Sequence, residues 1–185
     1  MKNLLAFLMM TICVATAAAA EEPPHTQEVD VNLGWGHPFG NSLEYSVDLG
    51  GGTLLGIGGG LGMAGFSYGI QVRRCFPVLR SFAPFLGLAL ANVQGMDEVT
   101  IDSETGNASD TAMYRMDGGI LLAPRAGVRW SLGDFRLLAG TGWGLVLSGG
   151  GSRWLSGMRD RSTDRIARVL ELGGPEVTIS GGWVF

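Results

Sequence analysis

A serine hydroxyl attacks a carbonyl only when a neighbouring base takes its proton, and a third group usually orients that base. His37, with Ser42 and Ser67 as candidate nucleophiles, is the set in this chain that comes nearest to such an arrangement, but no aspartate is placed by sequence to complete a relay. His25 stands in a polar N-terminal stretch and reads as solvated. Two separated histidines and Cys75 offer no metal-ligand spacing. The acids Asp97, Glu98, Asp102, Glu104 and Asp110 lack the pattern of a known calcium site and read as a solvated loop. Gly60-Leu61-Gly62-Met63-Ala64-Gly65 matches the dinucleotide fingerprint in form, yet a strand pattern follows it and no βαβ unit surrounds it. We expect no catalytic site, no metal and no cofactor.

The elements that would position these residues carry more information. The chain has 31 glycines, concentrated in runs such as Gly56 to Gly62 and Gly140 to Gly144, which weaken helices and ordinary strands. After the N-terminal segment no apolar stretch approaches the ~20 residues a membrane helix needs. Strict alternation recurs instead: Phe66, Tyr68, Ile70 and Val72 are large and apolar, with Ser67, Gly69, Gln71 and Arg73 between them. With turn residues as punctuation, strands are expected near 27–36, 42–50, 53–63, 66–76, 83–95, 116–131, 135–148 and 175–185. An even number of such strands, with short turns on one side and longer loops at 96–115 and 149–174 on the other, fits an all-β, transmembrane, antiparallel up-and-down β-barrel of eight strands.

If the large apolar sets face lipid, Asp30, Glu44, Asp48 and Glu176 face the lumen together with Arg73, Arg125, Arg129 and Arg136. Buried charges persist when paired, and an eight-stranded barrel is just wide enough to be filled by side chains. The expected lumen is therefore a salt-bridged plug, with inward glycines making room for the arginines. Aromatic residues cluster at both expected rims: Phe76, Phe82, Trp130, Phe135, Trp183 and Phe185 at one, Trp35, Phe66 and Tyr68 at the other. A soluble β-sandwich would explain the alternation but not this clustering.

Residues 1–20 read as a cleaved secretory signal: Lys2, an apolar run from Leu4 to Ala15, then Ala17 to Ala20 before Glu21-Glu22-Pro23-Pro24. Ile12 before Cys13 does not suit a lipidation site. Residues 21–185 form the expected barrel domain, located in the outer membrane as a monomer among lipid and lipopolysaccharide. Apart from Lys2 every basic residue is arginine, the formal net charge is −4, and no basic run suggests a nucleic-acid partner. A short helix is expected at 162–172 in the last extracellular loop, with Ile166, Val169 and Leu170 on one face. Capping the barrel mouth is the preferred role. The alternative is attraction of Arg153, Arg159, Arg161 and Arg165 to anionic lipopolysaccharide.

Pro175 to Phe185, with Val177, Ile179, Trp183 and Phe185 on one face, resembles the C-terminal targeting strand of outer-membrane proteins, whose terminal aromatic is recognised by the barrel-assembly machinery. Arg80-Ser81-Phe82-Ala83-Pro84-Phe85-Leu86-Gly87-Leu88 resembles the turn and strand start of small OmpA/OmpX-type barrels. The resemblance implies the fold and the membrane, not an activity. A mouth histidine also resembles the arrangement in lipid-modifying palmitoyl transferase barrels, but without the aspartate. Barrels resembling lipid A deacylases need a histidine on a late strand, and none follows His37. A non-enzymatic barrel of structural, envelope-stabilising or surface-interaction type is the leading expectation. A narrow channel for small solutes or ions is second, and a lipid-modifying enzyme third.

Overall fold

The computed structural model describes residues 26–62, 64–79, 81–102, 111–157 and 161–185. The expected signal at 1–20, the acids Glu104 and Asp110, and Arg80 and Arg159 lie outside the described residues. Strands β1 (Gln27–Trp35), β2 (Asn41–Asp48), β3 (Thr53–Gly62), β4 (Gly65–Cys75), β5 (Phe82–Asp102), β6 (Thr111–Leu132) and β7 (Phe135–Gly149) follow one another as antiparallel neighbours. After them come the short β8 (Ser152–Gly157), the helix α1 (Arg161–Leu170) and the last strand, β9 (Gly174–Val184).

β9 pairs with β7 on one side and with β1 on the other, and β5 pairs with β6, so β1 to β7 and β9 close into a ring of eight. The seam is tied by Phe185 and Gln27, whose N–H and C=O groups exchange two bonds of 3.0 Å. Closure leaves no edge strand in the wall. Stepping from Trp35 through Val177, Thr141, Ala126, Leu86, Arg74 and Thr53 returns to the first strand about ten residues earlier in the chain, a stagger that is the barrel's shear. With ~3.3 Å per residue and ~4.8 Å between strands, that shear tilts the strands by about 40° and makes a barrel about 16 Å across, backbone to backbone. Such an interior holds side chains and little else.

The faces are inverted relative to a water-soluble barrel. Outward residues are large and apolar and stand in solvent-accessible rows: Val31, Leu33 and Trp35 on β1, Leu55 and Ile57 on β3, Phe66, Tyr68 and Ile70 on β4, and Val177, Ile179 and Trp183 on β9. Inward residues of the same strands are acids, arginines, serines and glycines. At the short-turn end the rings of neighbouring strands meet, Phe82 with Trp130 at 5.6 Å and Phe135 with Trp183 at 5.0 Å between centroids.

The described parts of the two expected long loops contain regular structure. β5 and β6 continue beyond the wall as a hairpin through 96–102 and 111–116, where a loop was expected. A register shift between Met96 and Val99 changes the phase of the alternation, which hides the strand in the sequence. β8 occupies part of the expected 149–174 loop and lies along the same edge of β6 as β7, after the kink Gly149-Gly150-Gly151, whose φ values of 67°, 74° and 136° suit glycine alone. α1 packs on this extension through Thr163 and Ala167, one turn apart, against Ile101, Ala112, Tyr114 and Met116. Tyr114 Oη donates to Asp164 Oδ1 at 2.8 Å. The docking face is thus not the anticipated one: Ile166 is exposed, and the side chains of Val169 and Leu170 lie outside the described ones.

Ala167→Asp would bury a charge in that small apolar cluster. Hydrogen exchange of the refolded protein should show α1 and β8 losing protection while β1 and β9 keep theirs. Loss of protection throughout would mean that the extension is not a separate packing unit.

Candidate functional site: the charged lumen

Alternation on five strands delivers the inward polar set, with Arg125 and Arg129 supplied by β6. β1 contributes Glu28, Asp30 and Asn32, β2 Ser42, Glu44 and Ser46, β4 Ser67, Gln71 and Arg73, and β9 Glu176, Thr178 and Ser180, all of them buried. Arg73 is the hub. Its Nη2 lies 3.6 Å from Glu28 Oε2, 3.1 Å from Asp30 Oδ2 and 3.5 Å from Glu44 Oε1. Arg129 pairs with Glu28 from the other side. The Gln71 amide donates to Glu44 while its carbonyl accepts from Arg125 Nη1 at 2.8 Å. Arg125 Nε lies 2.6 Å from Glu176 Oε1, and its Nη2 donates to Thr178 Oγ1 at 3.2 Å. Arg129, Glu28, Arg73, Glu44, Gln71, Arg125 and Glu176 therefore form one connected chain along the lumen.

Of the eight lumen charges expected from sequence, the structure brings six together: Asp30, Glu44, Glu176, Arg73, Arg125 and Arg129. Asp48 sits at the end of β2, where its Oδ1 accepts from the Gly50 N–H at 2.7 Å and shapes the turn. Arg136 donates to the Gly133 and Phe135 carbonyls and secures the β6–β7 turn. Both stand at the short-turn rim, where the chain reverses and its backbone groups need partners. Glu28, only 1% exposed, is the missed member. Its even number, shared with Asp30 and Asn32, was the available signal.

Glycine makes the space. A Cβ on Gly142 would lie 2.8 Å from Glu176 Oε2 and 3.1 Å from Arg125 Cγ, and one on Gly56 2.6 Å from Ser46 Oγ. Two apolar layers accompany the charges. Phe39 turns inward from the β1–β2 loop, fully buried, against Ala89, Ala91, Leu121 and Ala123. On the β5–β6 wall these alanines lie one step toward the loop end from Arg125. Nearer the short turns, Leu54, Cys75, Phe85 and Leu138 form a second layer, with the Phe85 ring 5.8 Å from the Arg73 guanidinium. The loop between β1 and β2 is thus a plug.

His37 belongs to that plug. Its Nδ1 accepts from the Phe39 N–H at 3.1 Å, so its ring proton resides on Nε2. Burial, and secondarily the positive charges of Arg125 and Arg73, push its pKa down to about 2. A neutral ring with Nε2 protonated donates and cannot accept a serine proton there. Among the described residues no hydrogen bond links His37 to either serine: Ser42 Oγ accepts from Asn32, and Ser67 Oγ has no partner. A cavity of about 270 Å³ lies above, lined in part by His37, Asn41, Ser67, Leu121, Glu171 and Leu172. Glu171 accepts from Ser152 Oγ at 2.7 Å. The described residues contain no cluster able to hold a metal ion.

Val177, Ile179, Trp183 and Phe185 share the outward face of the last strand, each more than half exposed. No known family model matches the chain, and no curated protein matches it. Among solved structures it is similar to the N-terminal β-barrel domain of Pseudomonas aeruginosa OprF, at 12% identity and a TM-score of 0.46, over 87% of this chain and 96% of that one. The barrel assignment rests on this chain's own strand register.

Two outcomes follow. Arg73→Ala removes the shared partner of three buried carboxylates, of which Glu28 keeps Arg129, and urea unfolding of the refolded protein should show a loss of about 3–5 kcal/mol, with Arg73→Lys losing less. His37 binds a proton in the unfolded chain below its ordinary value of 6.5 but not in the fold. Its contribution to stability is therefore full above that value and lost as pH falls, by about 2 kcal/mol between pH 7 and pH 5. His37→Gln should flatten this part of the pH profile. An unchanged slope would show that His37 is solvated.

Proposed function

We propose that the protein is a non-enzymatic outer-membrane barrel whose lumen is a structural core and whose loop-end module, formed by the β5–β6 extension, β8 and α1, carries its outward interactions. The observation that carries this reading is the inverted partition: apolar rows outside, paired charges inside. Exposed apolar patches on soluble monomers rarely exceed a few hundred Å², whereas here they encircle the whole wall. A hydrocarbon surround is the environment in which such a belt is stable, and a closed barrel is the all-β structure that satisfies its backbone there. Phe39 and the cross-linked lumen favour a structural role over a channel. The His37 tautomer favours a non-catalytic mouth. In this reading the outward face of Val177, Ile179, Trp183 and Phe185 is what an assembly machinery would recognise, and the segment 1–20 directs export.

Unboiled, detergent-folded protein should migrate differently from boiled protein on a gel, and in planar bilayers it should give no steady conductance. Identical migration would remove the barrel reading. Steady conductance with normal migration would replace the structural role by the channel.

A further inference from the structure

Most described arginines outside α1 are engaged, while Arg153 on β8 is exposed and has no carboxylate partner among the described residues. Arg73, Arg125 and Arg129 are paired in the lumen, Arg74 donates to Thr53, Arg115 faces Asp97 and Asp117, and Arg136 caps a turn. On α1, Arg161, Arg165 and Arg168 are exposed, and among the described residues none has a carboxylate partner. Their spacing of four and three residues sets them in one stripe along the helix. The helix carries one acid against three arginines, and Asp164 accepts from Tyr114 on the docked side. The stripe's place in the fold is also constrained. Only Glu171, Leu172 and Gly173 separate α1 from Gly174, which is already paired with Gly144 in the barrel wall. At no more than ~3.6 Å per residue, Leu170 at the C-terminal end of α1 lies within about 15 Å of Gly174. That distance reaches the headgroup layer flanking a hydrocarbon core.

We propose that the Arg161, Arg165 and Arg168 stripe binds the phosphate groups of anionic lipid headgroups at the loop-end rim; this rests on the membrane reading above. Guanidinium forks match phosphate oxygens two at a time, and an unpaired cationic stripe on an acidic protein is complementary to a negatively charged lipid surface. The source is lipid rather than free phosphate because the stripe is convex and open, with no enclosing polar wall, and gains from many phosphates presented together.

The test uses the full refolded chain in nanodiscs of phosphatidylcholine, with and without one-fifth lipid A, and arginine footprinting by a glyoxal reagent read by mass spectrometry. Arg161, Arg165 and Arg168 should be protected by lipid A and not by phosphatidylcholine alone, with Arg115, paired with Asp97 and Asp117, as the internal reference, and 0.5 M salt should restore their labelling. The triple variant Arg161→Gln, Arg165→Gln, Arg168→Gln should bind lipid A roughly a hundredfold more weakly. Equal labelling in both nanodiscs, equal lipid A binding by the variant, or the same protection by inorganic phosphate would overturn the proposal. A chain that inserts into neither nanodisc would instead defeat the membrane reading, and the unboiled gel shift tells these failures apart.

Discussion

Everything in this barrel depends on neutralising Arg73. A guanidinium at 5% exposure is costly to hold away from water, and three carboxylates from two strands converge on it. Their positions fix register. Glu28 and Asp30 are two apart on β1, Glu44 lies directly across from Asp30 on β2, and a one-residue slip of any strand would turn its charge outward into the apolar belt. The charges thus specify the pairing as much as they stabilise it. Charge is spread along the chain through Gln71 and Arg125 to Glu176 on the closing strand, which couples the hub to the seam where the ring is completed.

Glycine and arginine solve one packing problem together. An interior about 16 Å across between backbones cannot take long side chains from every strand. β3 and β7 contribute mainly glycine inward, at 56, 58 and 60 and at 140, 142 and 144, while β1, β2, β4, β6 and β9 contribute the charges. The glycine runs that look like a defect in the sequence are the empty half of a two-part fit.

Much of this was legible beforehand, for a physical reason: side chains on a strand alternate, so a barrel with an apolar outside and a polar inside writes its two faces into odd and even positions. The β4 pattern from Phe66 to Arg73 is such a case. What remained hidden depended on phase breaks and on loops that enter the core. The shift between Met96 and Val99 disguised seven residues of β5 as a loop. Phe39, between Pro38 and Gly40, carries turn signals on both sides, and its burial depends on the gap left by Gly58 on another strand. Asp48 and Arg136 have the parity of lumen residues, but at strand ends the nearest partner is the turn backbone.

The central claim is that one face of each wall strand meets lipid while the other meets a charged interior. Spin labels placed singly at positions 177 to 181 of β9, in a chain lacking Cys13 and Cys75 and refolded into vesicles, measure it directly through collision with oxygen and with a water-soluble nickel reagent. The account predicts high oxygen and low nickel accessibility at 177, 179 and 181, and shielding from both reagents at 178 and 180. Nickel accessibility without a two-residue period would contradict it.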